Sequence, residues 1–174
     1  YRSGEGLRAG QGACLPKLAD IPSPYLSGAM KLSGRNSLFY VETSRGCPFS
    51  CTYCEAGPVR QSVRYFSLRR LGKELDFLER AGHNGVVCLT DSLVNINRSR
   101  ARRIFEMLAS RGRGLVVYLK AELLDDEMIA CLGNISNVGV EIGIQSIHAE
   151  TLKNIERKAD IRSCGRNIRK MLPD

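Results

Sequence analysis

From residue 38 onward the apolar residues of this chain alternate between two rhythms. Short, near-continuous apolar runs, "LFYVET" (38–43), "GVVCLTD" (85–91), "GLVVYLK" (114–120) and "VGVEIGI" (138–144), read as strands. Between them apolar positions recur at steps of three and four. Leu68, Leu71, Leu75 and Leu78 share one face of a helix that starts at Ser67 and stops at Gly82. Ala101, Ile104, Phe105 and Leu108 mark a second helix ending at Gly112. Met128, Ile129 and Leu132 mark a short third, between Asp125 or Asp126 and Gly133. Two more helices are expected around 148–157 and 161–172.

Strand and helix thus alternate four times, and the strands lack the in-out alternation of a sheet with one wet face. The pattern predicts an α/β fold of parallel strands covered by helices, joined by right-handed crossovers. Four such units make an open sheet or part of a (β/α) barrel, with a bare edge after the fourth strand. Residues 1–37 carry little pattern. The Gly-rich start reads as a linker or the tail of a preceding domain, and "IPSPYL" (21–26), with two prolines, as an extended, non-helical path. Residues 38–174 form the predicted core domain. A first residue other than Met, and the ending "KMLPD", point to a piece of a longer protein.

Composition narrows the function classes. No apolar run approaches the roughly 18–20 residues of a membrane span, and the N-terminal stretch lacks the apolar centre of a secretion signal. A cytoplasmic setting with no membrane partner is therefore expected. The formal charge is +8, concentrated at 60–70, 97–103 and 157–170. Such clusters allow a nucleic-acid partner, but solvated helix faces are the favoured reading. His83, just past a glycine stop, reads as a surface residue, and His148 as the start of a helix.

Seven cysteines are present. Cys88, Cys131 and Cys164 sit at apolar strand or helix positions and read as small buried hydrophobes. Cys14 has no evident role. Cys47, Cys51 and Cys54 differ: they form C-x3-C-x2-C in "SRGCPFSCTYCEAG" (44–57), directly after the first strand, which is the functional end of a parallel sheet. A disulfide framework suits a reducing compartment poorly. A structural zinc needs four closed ligands, and neither His83 nor His148 follows at finger-like spacing. Three thiolates can instead hold three irons of a [4Fe–4S] cube and leave the fourth iron open.

The C-x3-C-x2-C run, with aromatic Tyr53 before the last cysteine, resembles the signature of radical SAM enzymes. "VETSRGCPFSCTYCEAG", "LLDDEMI" and "VEIGIQSIHAETLKNIERKADI" resemble the branch in which a cobalamin-binding domain precedes the radical SAM core. The resemblance implies a partial (β/α)6 TIM-like barrel, truncated here after about four strand-helix units. It implies that Cys47, Cys51 and Cys54 ligate a [4Fe–4S] cluster whose open iron binds S-adenosylmethionine (SAM). Reductive cleavage then yields a 5′-deoxyadenosyl radical, with methyl transfer or a related C–H modification in the longer protein. A reducing protein such as a flavodoxin or ferredoxin is the implied partner, and the substrate stays open. Cobalamin would come only through a domain outside this chain. By the same resemblance, Tyr53, Asp91, Ser92, Glu122, Glu141, Gln145 and Ser146 are candidate cofactor contacts, and Arg157 matches an arginine whose role is open. Asp91 reads equally as a helix cap, and Glu141 as a buried carboxylate paired with Lys or Arg. A tRNA-modifying enzyme and a non-catalytic metal-binding fragment stand as alternatives.

Overall fold

The structure is a computed structural model that describes residues 17–32, 38–55 and 62–172, with the backbone of residues 2–3 and 6–7. Cys14 lies outside the described residues. Four strands form one parallel sheet: β1 (Phe39–Val41), β2 (Val87–Leu89), β3 (Leu115–Tyr118) and β4 (Val138–Glu141), in the order β1-β2-β3-β4. Phe39 pairs with Val87, Val87 with Leu115, and Leu115 with Val138, so the strand ends are level across the sheet. All four C-terminal ends, and the loops that leave them, therefore lie along one edge.

The helices are α1 (Leu68–Arg80), α2 (Arg98–Ala109), α3 (Asp126–Gly133), α4 (Ala149–Asn154) and α5 (Ile161–Met171). Each long helix begins where a short polar side chain satisfies an orphan amide. Ser67, Asn97, Asp125 and Asp160 accept from the amides of Arg70, Arg100, Met128 and Ser163, at 3.2, 3.0, 2.8 and 3.2 Å. Gly82 and Gly112 follow α1 and α2 with φ of 75° and 61°, a left-handed exit that a side chain would strain. The apolar faces meet the sheet in one core. Leu75 and Leu78 of α1, Ile104, Phe105 and Leu108 of α2 and Met128 of α3 pack with Val87, Leu89, Leu115 and Val117.

Several features depart from the sequence reading. β4 has no buried residue, unlike β1 at the other edge, which buries Phe39 and Val41. "IPSPYL" is not extended: Ser27 and Met30 donate back to the carbonyls of Ser23 and Pro24 at 3.0 Å. The turn buries Tyr25 in the core, its hydroxyl donating to Tyr40 O at 2.7 Å. His83 is buried rather than on the surface, edge-on to Phe39 at 5.5 Å, with Nδ1 lacking a hydrogen-bond partner. Ser44–Arg45 and Arg64–Tyr65 pair as two short antiparallel strands that flank the cysteine segment on both sides.

Many basic residues of the clusters are engaged within the fold. Arg98 and Arg102 face Asp125 and Glu127, Arg70 binds Glu74 at 3.0 Å, and Lys170 binds Asp126 at 2.5 Å. Among the described residues no helix is long and apolar enough to cross a membrane.

Candidate cofactor site

The segment after β1 is fixed before it reaches the first cysteine. Asp91, buried at the end of β2, accepts from Thr43 N at 2.6 Å, Thr43 Oγ1 at 2.6 Å and Ser44 Oγ at 2.5 Å. Arg100 of α2 donates to the carbonyls of Thr43 and Phe66, at 3.1 and 2.7 Å, joining both arms of the short antiparallel pair. Burial pushes the Arg100 guanidinium below its ordinary value, and the charge of Asp91 opposes that shift. Gly46, with φ of 99°, then bends the chain into the cysteine loop. Beyond Cys51 the loop is held again. Thr52 N donates to Ile155 O just past α4, and Cys54 N closes a turn on Cys51 O, both at 3.1 Å.

The three cysteines line one cavity of about 410 Å³ at the C-terminal edge of the sheet. Cys51 is buried, Cys47 partly buried and Cys54 exposed. Among the described residues no three His, Cys, Asp or Glu side chains converge tightly enough for one metal ion. A single zinc needs every sulfur about 2.3 Å from one point, whereas a cube gives each thiolate its own iron and needs the sulfurs only to surround a space. Three thiols on one cavity, held by a pinned loop, fit the second requirement.

Of the other candidates, Tyr53, Asp91, Ser92, Glu141 and Gln145 line the same cavity, and Glu122 and Ser146 do not. Burial, then a hydrogen bond to Cys51, pushes the Tyr53 phenol up to about 12. Asp91 neither caps a helix nor points free; its oxygens serve Thr43 and Ser44, and the caps beyond β2 are other residues. Glu141 is exposed rather than buried, and no Lys or Arg pairs with it among the described residues: Tyr118 stands opposite it across the sheet, and interaction with Glu141 is the first cause of that phenol's raised pKa. Gln145 holds a left-handed φ of 69°, and a Cβ at Gly143 would lie 2.6 Å from its Nε2. Gly143 therefore makes room for the Gln145 amide to fold back. For a residue other than glycine the left-handed conformation costs about 1–2 kcal/mol, strain of the kind that collects at functional sites.

Glu122 turns away from the cavity. One oxygen binds the Lys120 ammonium and the other accepts from Cys164 Sγ at 3.2 Å. Ser146 accepts from His148 N at 3.1 Å, and His148 stands at the N-cap of α4, just before Ala149, without making a side-chain cap bond.

Arg157 is the residue whose role the sequence left open. It is 9% exposed, lines the cavity beside the cysteines and donates to Gly143 O at 2.6 Å, while its Nε is buried without a partner. It comes from the connection between α4 and α5, and no local pattern signals that this connection folds over the sheet edge.

The sequence profile of the radical SAM superfamily matches residues 41–171. Among curated proteins, the cobalamin-dependent radical SAM methyltransferase TokK of Streptomyces tokunonensis is 42% identical over 74 residues, 38% of this chain and 11% of TokK. The 2-(S-pantetheinyl)-carbapenam-3-carboxylate methyltransferase of Streptantibioticus cattleyicolor is 27% identical over 159 residues, 83% of this chain and 23% of that protein. The hopanoid C-3 methylase of Methylococcus capsulatus is 25% identical over 133 residues, 74% of this chain and 24% of that protein. The chain thus spans at most about a quarter of these relatives. The methyltransferase TsrM of Kitasatospora setae, solved with a tryptophan substrate and a SAM analogue, shares the fold with a TM-score of 0.65 at 21% identity, over 78% of this chain and 28% of TsrM. A second TsrM structure holds cobalamin and a [4Fe–4S] cluster and gives the same TM-score at 20% identity, over 78% of this chain and 27% of TsrM.

Proposed function

This chain belongs to the radical SAM superfamily, and from that premise we propose that Cys47, Cys51 and Cys54 hold a [4Fe–4S] cluster beside a SAM-binding cavity. The observation that carries the reading is the meeting of three thiols with carboxylate, amide, hydroxyl and guanidinium groups on one cavity at the sheet's C-terminal edge. When bound, the cluster supplies the electron that cleaves the SAM sulfonium and leaves a 5′-deoxyadenosyl radical.

The protein's part is to bind, orient and exclude water. Arg157, with a buried unpartnered Nε, suits the carboxylate of SAM. Glu141 suits its ammonium or a ribose hydroxyl, and Ser92 and Gln145 add neutral donors and acceptors. Tyr53 closes the exposed side near Cys54. Asp91 positions the loop rather than touching the cofactor. Glu122 and Ser146 have no part in this reading, because neither faces the cavity. The three curated relatives are methyltransferases or a methylase, which supports methyl transfer as the reaction of the longer protein, with a flavodoxin or ferredoxin as electron donor. Cobalamin would be contributed by a domain outside this chain.

Anaerobic reconstitution tests the reading. The expected result is about four iron and four sulfide per chain, with 5′-deoxyadenosine formed from SAM and a strong reductant. Replacing Cys47, Cys51 or Cys54 by Ala should abolish the cluster signal, and Cys88→Ala should keep it. Stoichiometric zinc with no SAM cleavage would overturn the reading.

A further inference from the structure

Behind the cysteine loop lies a buried ion pair to which no cofactor role falls. The Lys120 side chain is 3% exposed, and the residue lies two positions past the end of β3. Its ammonium donates to Glu122 Oε1 and to Lys158 O, and it lies 4.4 Å from the centroid of the Phe49 ring. Phe49 stands midway between Cys47 and Cys51 and lines the cavity. The backbone at Lys120 is itself clamped by the fully buried Asn95. Lys120 N donates to Asn95 Oδ1 at 3.0 Å, and Asn95 Nδ2 donates to Lys120 O at 2.8 Å. Burial raises the Glu122 carboxyl, but hydrogen bonds from Lys120, its own amide and Cys164 outweigh it and leave it below its ordinary value.

A cation buried with a carboxylate is poor evidence for stability, since desolvation opposes the pairing. A placed cation does have one directional use here. The face of an aromatic ring attracts it, most strongly where water is excluded. Asn95 fixes where Lys120 starts, and Glu122 and Lys158 O fix where its ammonium ends. Among the described residues, Phe49 is the partner that belongs to the cysteine loop.

We propose that Lys120 is a positioning residue for the cysteine loop: its clamped ammonium holds Phe49 by the ring face and so presets the segment from Cys47 to Cys54. The link to cluster loading rests on those cysteines being the ligands. The ordering of the loop does not, and it is measured without iron.

Amide hydrogen exchange in the apo chain tests it, read at Thr52 and Cys54, whose amides are hydrogen-bonded in this structure. The amides of β2 serve as the internal reference. Lys120→Met and Phe49→Leu should each speed exchange at Thr52 and Cys54 by about tenfold or more, leaving β2 unchanged, as a local opening does. The double variant should exchange no faster than Phe49→Leu alone, since both remove one interaction. Phe49→Tyr, which keeps the ring face, should restore wild-type protection; a role for Phe49 as mere apolar filler would favour Leu over Tyr. If Lys120→Met does not fold, the Phe49 pair decides alone. Wild-type exchange rates at Thr52 and Cys54 in Phe49→Leu overturn the proposal, as does an equal speeding of β2. Reconstitution of the wild-type chain with iron and sulfide is scored separately. Its failure would sink the cluster assignment and leave the exchange result standing.

Discussion

A single carboxylate does more for the site's geometry than its sequence context suggests. Asp91 reads from sequence as a cap or a ligand, because "LTDS" ends a strand and begins a loop. Its actual partners, Thr43 and Ser44, lie 48 and 47 residues earlier, a distance no local pattern spans. The grouping of the three cysteines on one cavity was legible because close spacing in one loop keeps them together; the residues that hold their loop were not, since each acts across strands. The same holds for Arg157 and for the Lys120–Phe49 contact. Asp91→Asn replaces one of two accepting oxygens with a donor facing a hydroxyl or an amide. The expected loss is about 2 kcal/mol, on the scale of hydrogen bonds to a charged group. Urea unfolding should show it as a lower midpoint at unchanged slope. An unchanged midpoint would return Asp91 to the cofactor.

At the scale of elements, the helices were the most readable part. Each long helix has a polar cap and an apolar stripe at helical spacing, and both signals are local. Ser67→Ala should cost about 1 kcal/mol through loss of the bond to the Arg70 amide, measurable as a drop in thermal midpoint, with Ser67→Asp restoring it. The strands were legible in place and in parallel order, but they are shorter than their apolar runs. The pair Ser44–Arg45 and Arg64–Tyr65 left no trace in the pattern: two-residue strands carry no period, and what makes them pair is the Asp91 and Arg100 network. His83 was misread because a glycine stop signals the end of a helix, not which way the next side chain faces.

For the molecule as a whole, the α/β class and the clustering of loops at one sheet edge followed from the alternation of periods. Part of the positive charge is taken up inside the fold, where several arginines bind carboxylates or carbonyls. Buried thiols set an alkaline limit. Burial, then the hydrogen bond to Glu122, pushes Cys164 from 9.0 to about 11. A neutral thiol favoured by folding stabilises fully below the unfolded value and less as pH rises through the folded one. Stability should therefore fall between about pH 9 and 11. Cys88 and Cys131, also raised by burial, act in the same direction, so Cys164→Ala should shrink the decline without abolishing it. Denaturation midpoints across that range, under reducing anaerobic conditions, would show it; identical curves for the two proteins would exclude Cys164 as a source.

Asp91 also has a thermodynamic meaning. It belongs to the loop after β2, and among the described residues its hydrogen-bond partners belong to the segment after β1. Two loops that share one carboxylate cannot be ordered independently. If tightening one loop changes binding at the other, linkage requires the return effect to be equal in free energy. Asp91→Asn would show it, since the loop after β1 would then loosen without any change in the residues after β1 that line the cavity.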